Sequence, residues 1–532
     1  MKFIRQRLAI ILVIVFIVIF GEMALGNAIA KSQVLIQPSR EITEEFKNIP
    51  YNPNSTQEQN INEFAWKDFV ALNWPSDCQG NPLEDKRIGE APQAPRIWEL
   101  YPSPQDVFLP DGVAPPSQSP ENKKCLGDRK GSEIEYNQNL RLTKAGELVG
   151  TQKFEEVKTA SKTDLLDGYG ELNSEISVDL INETIKIPLV DRQGNYVINE
   201  IRLNPVEYDE IINKEWYDAN KLVEFIEANK QFNLTCSKGY ETEKSYCSEG
   251  AKNEGAIEIK AVWRVFDERN SPEEKARYYT TTRKIVIPDE SLPGKYKILQ
   301  EAELGLIGFH IMHKTSQLGW VWSTFEHIDN APSCDDSKTK LYTLYNKDCN
   351  TGNCQENFPY VKEPYLWRLT NNEPKAITIA GIEGIAVRDK KIEIKEQIPA
   401  QICHSNQIRQ SVTQENEEWQ NSLTNIAESS LWQYYELIGV QWLQNPGIPY
   451  SSEGVNRRRI QPPIALTNTA LEPYVQGVSC IVCHTSAHLP GQGNFCELMV
   501  QQGEEDKIKA CADFSFLMDN AQFGKQTAVY QK

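Results

Sequence analysis

Close to its carboxyl end the chain carries Cys480-Ile481-Val482-Cys483-His484, a C-x-x-C-H run. Two thiols three positions apart can each add to one vinyl group of a porphyrin, and the adjacent histidine is then held beneath the ring as an iron ligand. The rival chemistry is a redox or structural C-x-x-C whose neighbour happens to be histidine. Thioredoxin-like use wants a strand before the motif and a helix start at it, whereas residues 473–479 read as loop. The motif therefore predicts one covalent haem c, attached at Cys480 and Cys483, with His484 as proximal ligand. Only 48 residues follow His484, too few for a small cytochrome fold of their own. The rest of the pocket must come from residues before the motif.

A second axial ligand has several candidates among the six histidines. His488 lies four after His484 and would share its side of the ring if a helix continues. His404 adjoins Cys403 and reads as packing beside a disulfide. His310, His313 and His327 cluster in one stretch, and His310 and His327 are the distal candidates. Pairing His313 with Trp320 would put both on one face; a slip of one residue would separate them. On a strand, His310 and His313 point to opposite faces and cannot jointly hold a metal. Met312, Met499 and Met518 are further candidates, with core filling as their ordinary role.

The elements that must position these residues are legible in part. Ser55-Thr56-Gln57-Glu58 has the S-x-x-E form of a capping box, and Ile61, Phe64, Ala65, Phe69 and Leu72 follow at helical spacing. That helix should stop at Trp74, before Pro75. Residues 75–132 read as a long Pro- and Gly-rich loop. Strand signals dominate residues 176–266, with a hairpin over 185–198, a helical pattern over 206–229 and alternation over 256–266. Residues 278–287 make another strand, and 304–313 with 320–328 make a second hairpin around 314–319; a buried helix through 297–313 is the alternative. From 415 to 443 the spacing of Trp419, Leu423, Ile426, Leu431, Tyr434, Tyr435, Ile438 and Trp442 is helical. The fold class is α+β: a large mixed body with antiparallel hairpins over 31–400, and a mainly helical haem-attachment region over 401–532. No clean linker divides them, so they can share one core.

Residues 1–30 carry Lys2, Arg5 and Arg7, an apolar run over 8–20, and Ala28-Ile29-Ala30. This is the pattern of a secretory signal peptide cleaved after Ala30, with an uncleaved anchor as the alternative. No second long apolar run follows, so no membrane span is expected after its removal. In an exported chain, the ten of twelve cysteines that lie outside the C-x-x-C-H motif suggest disulfides. Cys236/Cys247 and Cys496/Cys511 are natural pairs, and Cys78/Cys125 would clip the Pro-rich loop. Connectivity among Cys334, Cys349, Cys354 and Cys403 is open. With 56 Lys and Arg against 74 Asp and Glu, the net charge is −18, which argues against a nucleic-acid binder or a charge-held lipid binder. The 532 residues at 40% hydrophobic are enough for a sizeable core.

Four segments stand out: Trp66-Lys67-Asp68-Phe69-Val70-Ala71-Leu72-Asn73-Trp74-Pro75, residues 309–332, residues 468–484 and residues 513–518. Together they resemble segments of a large group of exported bacterial cytochrome c family proteins of unassigned activity. The resemblance spans most of the mature chain. It implies covalent haem at Cys480, Cys483 and His484, and electron transfer, without a substrate. Three functions follow: an exported mono-haem electron-transfer protein with a redox partner protein, located in the periplasm, a thylakoid lumen or the extracellular medium; a haem-dependent oxidoreductase of oxidase, peroxidase or dehydrogenase type; and a haem-based sensor. The second is motivated by the roughly 450 residues that precede the motif, more than a shuttle requires.

Overall fold

In the computed structural model the described residues are 55–115, 189–288, 296–358, 400–490 and 512–524, with short breaks in each but the last, plus the strand pieces 172–173, 377–379 and 382–384. The signal segment, Cys78/Cys125, Cys496/Cys511, His488 and Met499 lie outside them.

The centre is a mixed, almost wholly antiparallel sheet of eight strands. Its main strands are β1 (Ile198–Leu203), β2 (Ile257–Val265), β3 (Thr280–Pro288), β4 (Tyr296–Thr315), β5 (Gly319–His327) and β6 (Tyr435–Leu443). The 20-residue β4 pairs through its first half with β3, and through its second half with β2 on one edge and β5 on the other. β5 in turn pairs with β6. The hairpin expected around residues 314–319 is present, and the alternative of a helix through 297–313 is not.

Five helices matter here: α1 (Gln57–Leu72), α2 (Pro205–Asn213), α3 (Ala219–Asn229), α4 (Gln410–Thr424) and the short α5 (Cys480–His484). The α1 capping box is real but sits one residue later than expected. Thr56 is the N-cap, its hydroxyl accepts from the Gln59 N–H, and the Gln59 side chain answers at the Thr56 N–H. The helix yields at Asn73, two residues ahead of Pro75.

Side chains alternate across β4 and β5. Phe309, Ile311, Val321 and Phe325 face α1 and α4, where Trp66 stacks on Trp419 with centroids 5.7 Å apart and its indole N–H donates to Asn416 at 3.0 Å. Met312, Trp320 and Trp322 face the other way, into an apolar cluster with Ile481, Leu517 and Met518.

The C-terminal part differs from expectation. Helix α4 ends at Thr424, and Tyr435–Leu443 is a strand in the main sheet, not a continuation of the helix. All but one of its nine residues are buried, so both faces are apolar and the spacing imitates a helix. The 401–532 region therefore shares the sheet of the body, and the described residues show no separate helical part. Three disulfides close among them: Cys236–Cys247 as paired above, and Cys334–Cys403 with Cys349–Cys354, which settle the open connectivity. Among the described residues no helix is long and apolar enough to cross a membrane.

Candidate haem site

The motif reaches the sheet on a loop that small and polar residues pin down. Gly308 on β4 leaves room for Ala470 and Asn468, each of which would lie 3.3 Å from an added Cβ. Gly439 on β6 does the same for Leu466, at 2.8 Å. Asn468 Nδ2 donates to Thr324 Oγ1 (2.8 Å) and to the Phe325 carbonyl (2.9 Å). The buried Glu326 carboxylate accepts from the Thr469 N–H (2.6 Å), the Thr469 hydroxyl and Asn330 Nδ2 (3.2 Å). The 468–484 run thus lies against the face of the β4–β5 hairpin opposite to α1.

At the end of this loop Ser479 begins α5, its hydroxyl accepting the Val482 N–H at 3.1 Å. Neither Cys480 nor Cys483 is disulfide-bonded, and both are partly buried. The Cys480 thiol donates to the Leu466 carbonyl at 3.6 Å. Burial, reinforced by nearby Glu472, pushes its pKa well above the ordinary thiol range. His484 Nδ1 donates to the Phe514 carbonyl at 2.8 Å. That bond fixes the tautomer with its lone pair on Nε2, the nitrogen left to bind a metal. Desolvation pulls the His484 pKa down to about 4, so the ring is neutral as a ligand must be. Beside it, Trp322 lies with its ring 6.2 Å from the imidazole, and the Trp322 indole N–H is buried without a hydrogen-bond partner among the described residues.

This donor set suits a covalently held haem. It offers two cysteines outside any disulfide at thioether spacing, one pre-oriented neutral imidazole, and an unsatisfied N–H at its flank that a polar edge of a ligand would satisfy.

Of the two distal candidates the strand register separates one from the motif. Lys314, not His313, pairs with Trp320, and His310 pairs with Thr324. The slip of one residue puts His310 on the motif face and His327 on the opposite one. There His327 stacks on Tyr278 at 3.7 Å, donates from Nε2 to the Arg277 carbonyl (3.0 Å) and accepts the Asp329 N–H at Nδ1 (3.1 Å). Both of its nitrogens are committed, which removes it from the ligand list. His313 is engaged too, with Asp68 Oδ2 at 3.0 Å and the Glu254 carbonyl at 2.6 Å. His404 approaches Glu326 at 3.5 Å beside the Cys334–Cys403 bridge.

His310 is different. Its Nε2 is a buried nitrogen with no hydrogen-bond partner among the described residues, 3.7 Å from Glu472 Oε2. Burial, Lys260 and the nearby His484 together hold its pKa well below the usual histidine value. Glu472 in turn is pushed up to about 7 by burial, against the pull of Lys260. Residue types alone did not point to Lys260, Glu472 or Phe514. Phe514 acts through a backbone carbonyl, which leaves no mark in the residue code. Met312 and Met518 are buried in the same cluster as Ile481. Cys334, Cys403 and Glu356 converge as well, but the two sulfurs are bonded to each other and Glu356 pairs with Lys338, so that trio is structural.

Comparison with protein-family models, curated proteins and solved structures finds no match to this chain.

Proposed function

We propose that the chain is an exported c-type cytochrome with one haem, attached through Cys480 and Cys483, ligated by His484 and used for electron transfer to a redox partner protein. The observation that carries this is the His484 Nδ1–H bond to the Phe514 carbonyl, made in a segment whose two neighbouring cysteines stay out of the disulfides. A histidine that ligates metal commonly donates its other N–H to such an acceptor, which orients the ring and raises its basicity. Bound haem would supply a ferric/ferrous couple. The protein's own share is to shut water from the imidazole with Trp322 and Phe516, whose rings pack against it, Phe514 backing Trp322, and to hold its proton on Nδ1. Three disulfides agree with an oxidising compartment, and the net charge of −18 suits docking to a basic partner.

The test is the mass of the secreted protein from a host competent in cytochrome maturation. A haem adduct that disappears when Cys480 and Cys483 are both changed to Ala is the expected result, and a parent with bare polypeptide mass refutes the proposal.

His310 supports a second reading, a haem-dependent oxidoreductase. Its unengaged Nε2 on the motif face, with Glu472 at 3.7 Å, is an acid–base pair of the kind that moves protons to a small substrate. A ferric protein that binds cyanide readily, and loses turnover but not haem in His310→Ala, would favour it. A closed low-spin spectrum unmoved by cyanide or carbon monoxide would favour plain electron transfer.

A further inference from the structure

We propose that Lys314, Asp513 and Trp320 are positioning residues for His484: they hold the turn whose carbonyl orients its imidazole. The proposal rests on the haem reading above and assigns that site a support that the motif itself does not contain.

Asp513 and Phe514 both lie in the left-handed backbone region, at φ of 49° and 67°. Neither is glycine, so each conformation is unfavourable and persists only where its surroundings over-determine it. Here they do so from three directions. Asp513 Oδ2 accepts from the Leu234 N–H at 2.8 Å and from the Lys314 ammonium. The Asp513 carbonyl accepts from the Trp320 indole N–H at 2.7 Å. On the following side, Ser515 N–H donates to the Ala512 carbonyl at 2.8 Å, and the Ser515 hydroxyl caps Leu517. The Phe514 carbonyl, fixed in this way, receives His484 Nδ1–H, while its ring stands edge-on to Trp322 with centroids 5.6 Å apart.

Lys314 is itself buried, and a lysine is taken out of water only for a partner. It follows His310 and Met312 on the motif face of β4, so one strand carries both His310 and the anchor of the turn that holds His484.

The experiment compares the parent, Trp320→Phe, Asp513→Asn and the double variant Lys314→Met/Asp513→Asn, all matured with haem. Trp320→Phe keeps an aromatic ring at this position and deletes the N–H to the Asp513 carbonyl, together with part of the indole's volume. Each variant retains the thioether cysteines, so each should carry haem by mass. With the turn loosened, His484 becomes a weaker donor, ferric iron is less favoured and the midpoint potential rises. A tenfold loss of ferric preference would read as a rise of about 59 mV. The ferric electron paramagnetic resonance signal should broaden in parallel, as the ring loses its single orientation. Asn416→Ala, which breaks the bond to Trp66 on the far side of the sheet, serves as the control: it should lower stability and leave potential and signal unchanged. If Asp513→Asn fails to fold, Trp320→Phe decides. A haem-bearing Trp320→Phe with parental potential and parental signal overturns the positioning role. A parent without haem overturns the underlying reading as well, and mass alone reveals that outcome.

Discussion

Replacing Asp68 by Asn probes whether the buried Asp68–His313 pair holds a proton. His313 is enclosed on β4, with Asp68 Oδ2 at Nδ1 and the Glu254 carbonyl at Nε2. Burial opposes its charge, but the Asp68 carboxylate at Nδ1, the Glu254 carbonyl at Nε2 and the nearby Glu254 carboxylate together raise its pKa above the ordinary histidine value. Burial raises the Asp68 carboxyl as well, against the pull of His313. Both directions describe a pair that keeps one proton between its members. A histidine whose folded pKa is raised contributes stability that is complete below its unfolded pKa, near 6.5, and is lost as pH rises through the folded value. In Asp68→Asn the amide N–H can donate to Nδ1 of a neutral ring, so the variant suits the deprotonated form. Below about pH 6.5 its folded state must then forgo a proton that the unfolded chain binds. Each pH unit costs about 1.4 kcal/mol, and the 1.5 units from 6.5 down to 5 amount to about 2 kcal/mol. The assay is urea denaturation of parent and variant at pH 5 and pH 8, followed by tryptophan fluorescence. The variant should lose at least about 2 kcal/mol more at pH 5 than at pH 8. An equal loss at both pH values would show that His313 is neutral in the parent and refute the reasoning.

Three further outcomes follow from the packing. Asn468→Ala deletes the two bonds that pin the motif loop to Thr324 and Phe325; it should cost about 1–3 kcal/mol and speed amide exchange in residues 468–484 ahead of the rest of the chain. Trp66→Ala removes a fully buried indole stacked on Trp419 and should cost about 3–5 kcal/mol, read as a fall in denaturation midpoint. Removing the Cys334–Cys403 bridge, which spans 69 residues, through the paired Ser substitutions should cost about 4 kcal/mol by loop-closure entropy; calorimetry showing no drop in Tm would contradict this.

How much was legible depends on how local the signal is. The capped helix over Gln57–Leu72, the strand over Ile257–Val265 and the β4–β5 hairpin are written in short-range periodicity. Tyr435–Leu443 was misread because a strand buried on both faces carries apolar residues at nearly every position and so shows no period of two. The hairpin register was uncertain by one residue because both registers bury aromatic side chains; the β5–β6 pairing and the Gly308–Ala470 approach choose between them. Residues 468–484 and 513–518 lie against one face of the sheet that β4 and β5 help to form, while Trp66 and its neighbours in α1 cover the other.

The letters alone supplied the proposed site, because C-x-x-C-H is contiguous and the chemistry proposed for it lies in covalent spacing. They also determined that His310 and His313 oppose each other, since a strand alternates its side chains. Tertiary structure alone decided that His327 is enclosed among tyrosines, that His310 shares a face with His484, and that a strained turn at Asp513 and Phe514 supplies the carbonyl for the imidazole. Those depend on a one-residue register and on a backbone atom. Neither is encoded by the type of any single side chain; both emerge only when distant strands have paired.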